Sequence, residues 1–201
     1  MAMLSQPISD YYSESTDIAE IHSMSMEQFA YPYAQWFFGD QADKFRFAHL
    51  QEALTFVPFG VAVDEFQHIC YADPQLTPRE RTYQWRLLEE KYMPWRRYGN
   101  DTFMERGGYW YHKLHIYLYP FYYINYTLTT MGAMEFKKKY AEDKAAAWQD
   151  YLKLCKTGGS RSYLETLRYA NLANPFEAGS VARACGYAED ILLRQLAEQE
   201  K

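Results

Sequence analysis

The chain has 201 residues, 48% of them hydrophobic, which is enough for a packed core and argues against disorder. The formal net charge is -5 and no basic stripe runs through the sequence, so nucleic acid and an anionic membrane surface are not indicated as partners. Cys70, Cys155 and Cys185 are scattered and odd in number; they form neither a disulfide framework nor a CxxC metal site, and read as reduced thiols of a cytoplasmic protein.

Taken in chain order, Met1 to Pro7 has neither a basic n-region nor a long apolar h-region, so it is not a signal peptide. Helices are expected at 17–38, 41–57, 60–72, 78–92, 108–139, 143–156, 162–170 and 175–198. Asp17 with Glu20 reads as an N-cap with an acid at N3. Thr77-Pro78-Arg79-Glu80 and Ser162 with Glu165 are capping boxes, and Asn174-Pro175 places Pro at N1 of the last helix. Pro32 should kink the first helix, Pro58-Phe59-Gly60 should break or kink the second from the third, and Pro120 should kink the long aromatic one. Gly39, Gly99 and Gly158-Gly159 mark helix ends. No segment alternates as a strand does, so the chain is expected to be all-α, a single helical domain over 1–201. The most apolar stretch, Tyr109 to Met134, carries two His, a Lys, a Pro and many Tyr, too polar for a bilayer span of ~20 residues. The charged run Arg194 to Lys201 reads as a solvated terminus.

Three constellations could carry chemistry. Glu20 and Glu27 are seven residues apart and share a helix face, as metal-holding or ligand-orienting carboxylates can. On spacing alone, Glu20 is better read as the partner of Asp17 in a cap, and His22 as a partly buried helix histidine. Glu65 and His68 form one Glu-x-x-His pair, whereas a di-iron bundle needs two such pairs and two further Glu. The third is the aromatic run from Tyr109 to Tyr126, within a chain holding 20 tyrosines. On a helix, Tyr119, Tyr122 or Tyr123, and Tyr126 would share a face. Their hydroxyls could donate to a developing oxyanion or simply fill a Tyr-rich core. Gly107-Gly108 just before the run would permit a mobile segment or a tight turn.

Four of these pieces, in order, resemble one family. Asp17 to Glu27, Val63 to His68, His115 to Tyr126, and Gly158 to Ser160 are similar to the segments that follow HExxH in oligoendopeptidase F-like zinc metallopeptidases, relatives of thimet oligopeptidase. The resemblance covers nearly the whole chain. It implies a helical C-terminal portion of a zinc-dependent enzyme that hydrolyses short peptides in a channel between two mostly helical lobes. It makes Glu20 the third zinc ligand and Glu27 a carboxylate that orients a ligand histidine. His115, Tyr123 and Tyr126 become the groups that bind the peptide carbonyl and stabilise the oxyanion, with the register across Tyr122 and Tyr123 open by one residue. Gly107 and Gly108 fall where the family has a substrate-closing loop.

The sequence departs from the family at one decisive place. None of the five histidines, His22, His49, His68, His112 and His115, is followed by Glu, so HExxH is absent. The resemblance implies that the motif lies before Met1, in a missing N-terminal part. One zinc ligand of three cannot hold a catalytic metal, so the isolated chain is expected to be inactive. An oligomer that covers the exposed channel face is a further expectation. The alternative function is a non-catalytic helical protein that grips peptides with the same Tyr-rich wall.

Overall fold

The computed structural model describes residues 6–199, so Met1 to Ser5 of the opening segment, and Glu200 and Lys201 of the charged tail, lie outside the described residues. Every regular element among the described residues is helical, as the missing strand alternation implies. The main helices are α1 (Thr16–Ala30), α2 (Ala34–Phe38), α3 (Ala42–Ala72), α4 (Pro78–Tyr92) and α5 (Thr102–Glu105). They are followed by α6 (Leu114–Leu118), α7 (Ile124–Glu142), α8 (Lys144–Thr157), α9 (Tyr163–Tyr169) and α10 (Ser180–Gln199). Among the described residues, no helix is long and apolar enough to cross a membrane.

Local chemistry explains where most helices begin. The Thr77 and Ser162 boxes form as expected: the N–H and hydroxyl of each residue donate to the side chain of Glu80 or Glu165. Asp101 and Asp143 cap α5 and α8 by accepting from backbone N–H groups. Other expectations need correction. Ser15, not Asp17, is the N-cap of α1, so Glu20 lies in the second turn and takes no part in a cap. Pro32 ends α1 rather than kinking it, because Pro has no N–H to continue the ladder, and a 3-10 turn over Tyr31–Tyr33 leads into α2. α10 starts at Ser180, not 175. The Asn174 side chain accepts from Phe176 N–H, and Gly179 has φ of 76°, so this stretch turns before it coils.

The two central prolines behave in opposite ways. α3 runs unbroken through Pro58, where a break or kink is expected. Pro120 does more than kink: the expected 108–139 helix becomes a 3-10 turn (Gly108–His112), the short α6, an irregular turn and α7.

The chain forms two compact units, one from residues up to Leu54 together with Leu128 onward, the other Thr55–Thr127. The first is built on Ile18, Ile21, Phe29, Phe136, Tyr151 and Leu154, with a second cluster around Leu50, Met134 and Ala188. The second is built on Phe59, Val63, Phe66, Trp85, Trp110 and Tyr123. Fully burying such side chains contributes about 1.5–3 kcal/mol each.

Candidate functional site

In the Thr55–Thr127 unit the chemistry gathers around His115. α6 is a single short helix. Tyr119 N–H still donates to the His115 carbonyl at 2.9 Å, then Pro120 stops the ladder. Phe121 follows with φ of 59°, a left-handed conformation that costs a residue with a Cβ about 1–2 kcal/mol. Its ring packs on His68 and Tyr71, at centroid distances of 4.8 and 5.0 Å. This reversal folds the tyrosines back onto His115. The imidazole lies 5.9 Å from the Tyr119 ring, 6.4 Å from Tyr122, 5.1 Å from Tyr123 and 5.8 Å from Tyr126. The expected juxtaposition is therefore made by a turn and not by one helix face. The register question takes a specific form: Tyr122 lies parallel to the imidazole, with 8° between planes, whereas Tyr123 meets it edge-on at 70°.

The two differ in burial as well. Tyr123 is buried, packed edge-to-face on Phe59, and Tyr122 is half-buried. Burial, with the neighbouring Tyr109 hydroxyl, pushes the Tyr123 phenol up to about 12. At neutral pH it is a hydrogen-bond donor, not a phenolate. Lys113 stands over the Phe59 and Tyr123 rings, 4.8 and 5.7 Å from their centroids, and burial beside Arg96 holds its amine below the usual lysine range. A half-buried imidazole, the protonated Tyr123 phenol with its tyrosine neighbours and the Lys113 amine make a polar wall suited to a carbonyl oxygen that gains negative charge.

Gly107 and Gly108 have a steric reason to be glycine. Gly107 has φ of 101°, and a Cβ there would collide with the Thr82 carbonyl. A Cβ on Gly108 would enter the Phe103 ring. The Glu-x-x-His pair does not converge on a metal. Glu65 accepts from Lys91 Nζ at 2.9 and 2.8 Å and from the Tyr92 hydroxyl, and hydrogen bonds from Lys91 and Tyr92 hold its carboxyl below the usual range. His68 faces Asp64 at 3.4 Å instead.

In the other unit, Glu20 is half-buried on α1 and accepts from the Ser23 hydroxyl at 3.1 Å. Free of capping duty, it is available as a donor. Glu27 is occupied by a partner the spacing could not reveal: its Oε2 lies 3.1 Å from His49 Nε2, and His49 Nδ1 lies 2.7 Å from the Tyr31 hydroxyl. Here Glu27 orients a histidine of this chain. His22 is held by Glu14 at 3.5 Å, Cys155 Sγ at 3.6 Å and the edge of Tyr151, and burial lowers its basicity, in keeping with a structural histidine. No three His, Cys, Asp or Glu side chains converge as a metal site among the described residues. Glu20 has no such companions, and the described residues do not by themselves fit a zinc centre.

Sequence comparison adds the family. The model of peptidase family M3 matches residues 3–185. No curated protein matches the chain. Among solved structures, one described as oligoendopeptidase F is 49% identical, with a TM-score of 0.89 over 95% of this chain and 34% of its own. PZ peptidase A, solved with an inhibitor, is 46% identical, with a TM-score of 0.90 over 96% of this chain and 34% of its own. An oligoendopeptidase F from Bacillus anthracis str. Ames is 39% identical, with a TM-score of 0.80 over 96% of this chain and 31% of its own. The chain therefore spans about a third of the length of these relatives.

Proposed function

The chain belongs to peptidase family M3, and we propose that it supplies the substrate-side wall of a zinc-dependent oligoendopeptidase that hydrolyses short peptides. His115, Tyr123 and Tyr126 bind the peptide carbonyl and donate to the oxyanion as it forms. Glu20 is one zinc ligand, and Glu27, through His49, helps to fix the carboxylate face of α1. Gly107 and Gly108 shape the turn beside the substrate. The observation that carries this reading is the ring of four tyrosines around His115, with Tyr123 kept protonated by burial. A donor of this kind contributes about 10²–10³-fold to acyl-transfer rates.

Binding zinc and activating water both require HExxH, which this chain lacks. The isolated chain is accordingly inactive and acquires activity from a part of the enzyme that carries the motif. Exposed aromatics at Trp36 and Phe37, 80% and 72% accessible, favour association with that part or with a second copy. Light scattering that shows only monomer at high concentration would remove the second copy. The unpaired Cys70, Cys155 and Cys185 support a cytoplasmic setting.

The test is steady-state cleavage of a quenched fluorescent peptide by the assembled enzyme. Tyr123→Phe should lower kcat by about 10²-fold with little change in KM, and Tyr122→Phe should do far less. Equal effects of the two substitutions would remove the role given to the buried phenol.

A further inference from the structure

In the unit built from residues up to Leu54 and from Leu128 onward, a groove of about 310 Å³ lies between the end of α1, the first turns of α3, α7, the start of α8 and α10. That volume is at the small end of ligand sites. Lys137, on α7, lines the groove and is 9% exposed. Its ammonium stands 3.4 Å from the centroid of the Tyr31 ring, and among the described residues no hydrogen-bond acceptor or carboxylate pairs with it. Its Nζ is unpaired without being sealed from solvent, so its free positions open on the groove. A buried ammonium without an acceptor is costly, and one that faces a groove is placed to receive an acceptor from outside.

Arg46 lines the same groove, close enough for its like charge to depress the Lys137 amine. Its Nε donates to the Tyr31 carbonyl at 3.1 Å and its Nη1 to Asp43, which leaves Nη2 for another acceptor. Lys144, exposed at the first position of α8, brings a third cation to the rim. The nearby acids are engaged, Asp43 by Arg46 and Glu27 by His49. Lys137, Arg46 and Lys144 against Asp43 leave two positive charges at the groove, in a chain whose formal net charge is -5. Pro32, Tyr140, Tyr187 and Ile191 give the remaining walls an apolar surface with phenolic tips.

We propose that this groove binds a small phosphate monoester, its phosphate held by Lys137, Arg46 and Lys144 and its apolar body resting on the tyrosine and Ile191 walls. The phosphate brings a charge of about -1.5 to -2 at pH 7 and offers acceptors only, which matches the two uncompensated positive charges and the all-donor character of the cations. A carboxylate would leave one of those charges unmatched. The three cations come from three helices, an arrangement that suits a tetrahedral anion better than a planar one. The groove also exceeds the size of a bare phosphate, which leaves room for the organic part. The inference stands apart from the peptidase reading, because none of these residues belongs to the wall around His115.

The test is calorimetric titration of this chain at pH 7 and constant ionic strength with phenyl phosphate, inorganic phosphate and benzoate. Phenyl phosphate should bind with a Kd of about 0.1–1 mM, and inorganic phosphate and benzoate each about tenfold more weakly, the first for want of an apolar body and the second for want of charge. Lys137→Met keeps the volume of the side chain and should weaken phenyl phosphate by at least about tenfold. Arg46→Gln provides a second, independent removal of charge and should weaken it by about as much. Phenyl phosphate should also raise the thermal midpoint of the wild type and leave that of Lys137→Met unchanged. No saturable binding up to about 20 mM phenyl phosphate, equal affinity for phenyl phosphate and benzoate or inorganic phosphate, or undiminished binding by both variants would overturn the proposal. Peptide cleavage by the assembled enzyme bears on the peptidase reading alone, whereas these titrations bear on the groove alone.

Discussion

Lys137 offers the sharpest test of the energetics, because replacing it with Met should stabilise the protein at neutral pH although a strong contact is lost. The side chain is 9% exposed, and its ammonium stands 3.4 Å from the centroid of the Tyr31 ring. Burial, and the like charge of Arg46, lower its pKa from 10.5 to about 8. Each unit is worth about 1.4 kcal/mol, so keeping the ammonium in the fold at pH 7 costs about 3 kcal/mol. The contact with Tyr31 returns about 0.5–2 kcal/mol, and desolvation wins. Met fills similar volume and keeps a sulfur–aromatic contact. Lys137→Met should therefore raise unfolding stability by about 1–2 kcal/mol in urea at pH 7. The sign of the pH dependence follows from linkage. Between the folded pKa near 8 and the unfolded value of 10.5 the unfolded state binds more protons, so the wild type gains stability as pH rises and the gap to the variant narrows. A variant less stable than wild type at pH 7, or a gap that does not shrink by pH 9.5, would refute the reasoning.

Two further perturbations follow from the same structure. Asp150 accepts from Lys139 Nζ at 2.8 Å, Lys153 Nζ at 2.8 Å and Asn171 Nδ2 at 2.7 Å. Burial works to raise its pKa, but these donors outweigh it and hold the carboxyl below the usual range. Asp150→Ala should cost about 2–4 kcal/mol at pH 7 by chemical unfolding. That contribution is complete above the unfolded aspartate value of about 4 and fades as pH falls through the lower folded value, so the two proteins should converge in acid. A constant difference down to pH 2 would contradict it. Gly107→Ala places a Cβ against the Thr82 carbonyl at φ of 101° and should lower stability by more than about 1 kcal/mol. An unchanged melting temperature would show that this turn yields freely.

Much of the architecture was legible because it is local. The Thr77 and Ser162 boxes need only a side chain and its own backbone three residues away, and both form. The prolines were not legible in this way. Val57 and Phe59, on either side of Pro58, are 4% and 6% exposed, so packing holds both turns and the helix continues. Tyr119 and Phe121, flanking Pro120, are 53% and 38% exposed, so nothing opposes the break. The same residue gives opposite outcomes, and the deciding contacts lie far away in sequence.

The candidate site shows the same division. His115 and its tyrosines are adjacent in sequence, and their grouping survives even though the helix expected to carry them does not form. The pairing of Glu27 with His49, 22 residues on, left no local signal. Glu20 shows how a small shift matters: moving the cap from Asp17 to Ser15 removes its structural duty and leaves the carboxylate available for another role.

The most direct measurement of the central claim is peptide cleavage by this chain, alone and after mixing with a part of the enzyme that carries HExxH. No cleavage by the chain alone, activity on mixing, and loss of at least about 10³-fold of that activity with Glu20→Gln are expected. Cleavage by the chain alone, or full activity of the Glu20→Gln mixture, would contradict the assignment of Glu20 and of the substrate-side wall.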